Sequence, residues 1–128
     1  MKYWVGTTDN AWFRFLGGMQ PDEVNFWQPR GQATYADLTP GSLFLFKLKR
    51  PYNHIAGGAH FVKSSSLPLS MVWDAFGSKN GAATRPAFES MIRKLVTDAA
   101  EVDPVIGVTV LSEPFYWPEP PGNRDPQG

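Results

Sequence analysis

Cysteine is absent from this 128-residue chain. That excludes a disulfide framework, a thiolate zinc site and a thiol nucleophile, and it fits a cytoplasmic protein. Histidine is nearly absent too, with only His54 and His60. Their spacing sets both on one face of an unbulged strand, but no carboxylate is an obvious third ligand, so neither a metal nor another cofactor is expected. Excess charge is missing as well: twelve Lys and Arg balance twelve Asp and Glu. Any binding of nucleic acid must therefore rest on a local patch. No apolar run approaches the ~20 residues of a membrane span, and MKYWVGTTDN lacks the apolar block of a signal peptide. There is no phosphate-binding glycine loop, no Gly-x-Ser-x-Gly elbow and no carboxylate pairing suited to acid–base chemistry. Catalysis within the chain is not expected.

What is present suits one domain with one core. Strands are predicted over Lys2 to Thr7, Glu23 to Trp27, Leu43 to Lys49, His54 to Lys63 and Val105 to Leu111. Asp9 or Asn10 can cap a helix over Ala11 to Leu16, closed by Gly17–Gly18. Ser70 can cap a second, over Met71 to Phe76. Thr84 opens a third, along which Phe88, Met91, Ile92, Leu95 and Ala99 recur at helical spacing. LFLFKLK and the segment after Arg50–Pro51–Tyr52–Asn53 read as a hairpin, and Gly57–Gly58 marks a bulge or a close backbone approach. The order β–α–β–β–β–α–α–β, with antiparallel strands, predicts an α+β fold: a small curled sheet or pseudo-barrel with packed helices. Residues 1–119 form that domain. The Pro- and Gly-rich stretch 120–128 reads as a linker toward a further domain.

The stretch EVNFWQPRG poses the functional question. Strand alternation sends Val24 and Phe26 to the core and Asn25 and Trp27 to the other face, with Gln28 next. Most tryptophans in so small a domain fill volume. Trp27 differs in its company, because an aromatic beside amides is what a nucleobase site needs: a ring to stack on and donors and acceptors for the base edge. Basic residues gather in two places. Lys47, Lys49, Arg50 and Lys63 lie at one end of the hairpin, around Tyr52, Asn53 and His54. Lys79, Asn80 and Arg85 form a second polar loop. Either set is also consistent with an ordinary solvated edge.

KYWVGTTD, VNFWQP and LTPGSLFLFKLKRPYNHIAGGAHFV together resemble the PUA-like superfold of EVE, SRA, YTH and ASCH domains. VNFWQP, FLFKLKRPYNHIAG, AFGSKNG and IGVTVLSEPFYWPEP are similar to segments in N-terminal domains of bacterial HNH endonucleases of modification-dependent, type IV restriction systems. The resemblance spans residues 2 to 119. It implies a reader that flips a modified base, above all a 5-modified cytosine such as 5-methylcytosine, out of double-stranded DNA into an aromatic pocket. A C-terminal HNH nuclease domain would then cut. It implies a base pocket of Trp4, Thr8, Asp9, Asn25, Phe26, Trp27, Gln28 and Trp117. Arg30, Lys47, Lys49, Arg50, Tyr52, Asn53, His54, Lys79, Asn80 and Arg85 would meet the nucleic-acid backbone. Departures such as Pro29–Arg30–Gly31 leave open which residue reads the base edge. The alternative is an RNA-binding module of YTH or ASCH type that takes a modified base from a single strand.

Overall fold

The computed structural model describes residues 3–29, 38–95 and 102–118. Elements follow as β1 (Tyr3–Thr8), α1 (Asn10–Met19), β2 (Glu23–Asn25), β3 (Leu43–Leu48), β4 (Ile55–Pro68), α2 (Leu69–Phe76), a 3-10 turn (Gly77–Asn80), α3 (Arg85–Arg93) and β5 (Val105–Tyr116). The α+β order is the one expected. The strands form one sheet in the order β1-β3-β4-β5-β2. β1 pairs with β3 in parallel, a departure from the all-antiparallel expectation, while the other pairings are antiparallel. Register shifts at Phe46/Lys47, Gly58/His60 and Phe61/Lys63 bend β3 and β4, because an extra residue on one strand kinks it and raises its twist.

Curling brings the two sheet ends toward α1. α1 buries Trp12, Phe13 and Leu16 against Phe26, Phe44 and Phe46, with Trp12 edge-on to both Phe26 and Phe46 at 5.5 and 5.4 Å between centroids. A second apolar cluster joins Leu69, Val72, Phe88, Ile92, Ile106 and Val108. Trp27 and Met91 pack against both clusters.

The caps divide the expected work. Asp9 accepts from the Trp12 N–H at 2.9 Å and caps α1. Asn10 instead clips the β3–β4 turn: its Oδ1 accepts from the Lys49 N–H at 2.8 Å, and its Nδ2 donates to the Lys49 and Arg50 carbonyls at 3.3 and 2.9 Å. α1 runs past Gly17–Gly18 and closes at Gln20, which takes the left-handed conformation. Thr84 caps α3 as expected, its Oγ1 accepting from the Ala87 N–H.

Ser70 does not cap α2. The helix begins one residue before it, and Asp103 serves from across the chain, accepting from the Ser70 N–H at 2.9 Å and the Ser70 hydroxyl at 2.7 Å. Those bonds hold the Asp103 carboxyl below the usual carboxylate range. A lowered carboxylate pKa adds stability above its unfolded value of about 3.9, and that stability is lost as pH falls through the folded value. Asp103→Asn is therefore expected to lower the melting temperature at pH 7 and to leave it unchanged near pH 2. The effect at pH 7 stays below about 1 kcal/mol because the carboxylate is exposed and screened. Thermal melts of both proteins at the two pH values check this.

Candidate nucleic-acid interface

A cleft of about 400 Å³ opens where the end of β1, the start of α1, the segment after β2 and the end of α3 meet. Thr7 and Asp9 come from the β1 exit, Ala11 and Trp12 from α1, and Phe26, Trp27, Gln28 and Pro29 from the post-β2 segment. Lys49, Gly81, Met91, Lys94 and Leu95 complete it. Aromatic rings and aliphatic stems make the walls. Asp9, Gln28, Thr7 and two lysines supply polarity at its edges.

Trp27 is held by two contacts. Its indole N–H donates to the Asn80 carbonyl at 2.9 Å, and its ring meets Phe88 edge-on at 5.6 Å. Asn80 is itself fixed, its Nδ2 donating to the Val72 and Gly77 carbonyls at 3.2 and 3.0 Å. A ring held by a hydrogen bond and a ring contact can present its remainder to a ligand without first losing rotamer freedom. Gly81, directly after the 3-10 turn, has φ +90° and lies so close to Trp12 that a Cβ there would come within 2.1 Å of its Cδ1. Only glycine lets this corner of the wall close.

Of the pocket residues implied by the resemblance, Asp9, Phe26, Trp27 and Gln28 line the cleft. The other four do not. Asn25 was expected beside Trp27 but is fully buried. Its Oδ1 accepts from the Thr109 N–H at 3.0 Å and its Nδ2 donates to Asn80 Oδ1 at 2.8 Å, so its amide is spent inside the fold. β2 ends at Asn25, so strand alternation no longer ties Trp27 to it. Thr8 is buried, with its hydroxyl donating to the Gly6 carbonyl; Thr7, one residue earlier, faces the cleft. Trp4 lies exposed on β1, at the edge of the sheet. Trp117 lines a separate cleft.

The backbone-contact set also divides. Lys49 lines the cleft, and Lys47, Arg50 and Asn53 are exposed nearby in β3 and its turn. Tyr52 and His54 line the separate cleft with Trp117. His54 precedes β4 rather than lying in it, so it does not share a strand face with His60. Lys79 is engaged by Asp22 at 3.0 Å and Glu23 at 3.8 Å. The Asp22 contact raises the Lys79 pKa and lowers that of Asp22. Arg85 pairs with Glu89 one helical turn on, and Asn80 is buried. The second basic loop thus packs its polar groups inward or against carboxylates, instead of offering them to a phosphate. Arg30 lies outside the described residues.

Trp12, Met91, Lys94 and Leu95 join the cleft unannounced. Met91 lies in α3 and Lys94 and Leu95 in the turn that ends it. Their i, i+3, i+4 spacing is visible in the sequence, though nothing local says which neighbour they meet. Among the described residues no three His, Asp or Glu gather as a metal site, and no helix is long and apolar enough to cross a membrane.

No family profile matches the chain, and no curated protein does. Solved structures do. A tyrosine-to-phenylalanine variant of the ASCH protein from Zymomonas mobilis superposes with a TM-score of 0.57 at 11% identity, over 91% of this chain and 73% of that one. The ASCH protein from the same organism gives 0.53 at 13% identity, over 89% and 68%. The chain therefore shares the PUA-like fold of these ASCH structures.

Proposed function

We propose that the chain is a nucleic-acid-binding reader domain that receives one unpaired or flipped base in the cleft beside Trp27. The observation that carries this is the pinned Trp27 ring, set in an aromatic wall with the Gln28 amide and the Asp9 carboxylate at its edges. Ring stacking is worth about 1–3 kcal/mol per base and accepts any base face. Carboxylates and amides read the donors and acceptors on the base edge. In this reading the chain binds and does not itself react.

In its finer form, the base is a 5-modified cytosine flipped from duplex DNA, and the domain directs an HNH nuclease of a modification-dependent restriction system. The support is the likeness of VNFWQP and FLFKLKRPYNHIAG to such N-terminal domains. A second reading, a single-stranded RNA binder of ASCH or YTH type, is favoured by charge. Duplex readers bury large, strongly positive surfaces, yet Lys79 and Arg85 are matched by carboxylates and the cleft itself has two lysines.

Titration at low and moderate salt tests the proposal. The probes are short duplexes carrying one plain, methylated or hydroxymethylated cytosine, with single-stranded RNA alongside. One probe should bind best, and Trp27→Ala should weaken that binding tenfold or more, the equivalent of about 1.4 kcal/mol. Binding to none of them, or a folded Trp27→Ala that binds as well as the parent, would sink the reading.

A further inference from the structure

Trp117, Tyr52 and His54 line a second cleft, also of about 400 Å³. α1 separates it from the first. Ala11 and Trp12 face the first cleft, whereas Phe13, Arg14 and Gly17 face the second. At 3.6 residues per turn those two sets fall on opposite flanks of the helix. Leu48 and Lys49, neighbours at the end of β3, divide the same way. The ridge between the clefts is the start of α1 joined to the Lys49–Arg50 turn through the Asn10 clip.

The second cleft has its own chemistry. Phe13, Tyr52, Tyr116 and Trp117 make aromatic walls, and Trp117 is 53% exposed. Arg14 lies over the Tyr52 ring at 4.9 Å and donates to its hydroxyl. Among the described residues no carboxylate lines this cleft. The Tyr116 hydroxyl is shut off from solvent without a hydrogen-bond partner among the described residues. Burial pushes its pKa up to about 12. Such a site suits a flat ring with negative charge beside it. On the ridge, Lys49 and Arg50 are exposed and form no ion pair among the described residues.

We infer that the second cleft is a second nucleotide subsite. A single strand lays one base against Trp27 and a neighbouring base against Trp117 and Tyr52, with the intervening phosphate on the ridge beside Lys49 and Arg50. This rests on the reading of the first cleft as a base site and deepens it. It selects an unstacked single strand over a duplex, because bases spread to both sides of a helix cannot remain stacked in a duplex.

The test measures the affinity of the full chain for a tetranucleotide as single-stranded RNA, as single-stranded DNA and as the matching duplex. It compares the parent with Trp27→Ala, Trp117→Ala and Arg14→Gln, each checked for an unchanged thermal melt. Tyr52→Phe, which keeps the ring, replaces any variant that melts early. Either single strand should bind at least fivefold tighter than the duplex. Trp117→Ala and Arg14→Gln should each cost at least fivefold, and Trp27→Ala as much or more. If Trp27→Ala alone weakens binding, or the duplex binds as tightly as the single strands, the second subsite is wrong and the first cleft stands. Failure of every strand to bind the parent would overturn both.

Discussion

Gly57→Ala is expected to leave little or no folded protein. Gly57 lies in β4 between Phe46 of β3 and Tyr116 of β5. A Cβ built there would come within 2.2 Å of the Phe115 carbonyl oxygen and 3.2 Å of its carbon. Those are backbone atoms of a strand paired directly to β4, so no rotamer change relieves the overlap. Relief requires β4 and β5 to separate at this end of their ladder, where Gly57 and Gly58 pair with Tyr116 and Phe115. Losses above ~4 kcal/mol are exceptional and have identifiable causes, and this overlap is one. The whole stability of such a domain is only about 5–15 kcal/mol. Gly18→Ala is the matching control. That position is exposed in α1 with open space around it, and alanine should leave it neutral or up to ~1 kcal/mol more stable. Soluble yield and thermal melts of the two variants decide the matter. A Gly57→Ala protein melting within a few degrees of the parent would mean that β4 and β5 do not approach as described.

The glycine pair was legible in the sequence as a bulge or a close approach, and both occur: the register shifts beside Gly58, and the Phe115 carbonyl crowds Gly57. The order of elements was legible because each strand and helix carries its own period and punctuation. Val24 and Phe26 are in the core as expected, although Asn25 between them is buried as well and the strand ends before Phe26. What stayed hidden is non-local. Nothing in KYWVGTT announces a parallel partner forty residues on, since a parallel pairing leaves no turn signature at either strand. β4 runs on through Ser64, Ser65 and Ser66 because β5 offers Thr109, Val108 and Gly107 as partners. Serines read alone look like a loop. The same blindness split the aromatic cage. Trp4 and Trp117 share a residue type with Trp27 but sit at a sheet edge and at another cleft, and only the curl of the sheet decides that Trp12 and Phe26 stand beside Trp27 instead.

Asn25 was the most consequential misplacement, and replacing it should be costly. Alternation made it a partner of Trp27 in the pocket. In the fold it acts on Trp27 indirectly, by bracing Asn80, whose carbonyl accepts from the indole. Asn25→Ala would strip partners from the Thr109 N–H and from Asn80 Oδ1, both in the interior. Each orphaned buried group costs ~1–3 kcal/mol. A loss of about 3 kcal/mol is therefore expected, or on the order of 10 °C in melting temperature for a chain of this size. Asn25→Asp separates this account from simple loss of volume. It keeps the shape and the acceptor for Thr109 but sets a second carboxylate oxygen against Asn80 Oδ1. Only the protonated acid can donate across that gap, so folding should raise the pKa of the new carboxyl. A raised carboxylate pKa costs stability above the unfolded value of about 3.9 and costs little below it. Measured against the parent at each pH, Asn25→Asp should thus be nearly as stable near pH 3 and clearly weaker at pH 7. Asn25→Ala should show a deficit of similar size at both. Equal deficits for the two variants across that range would mean that the amide only fills space, and that Trp27 owes its position to packing alone.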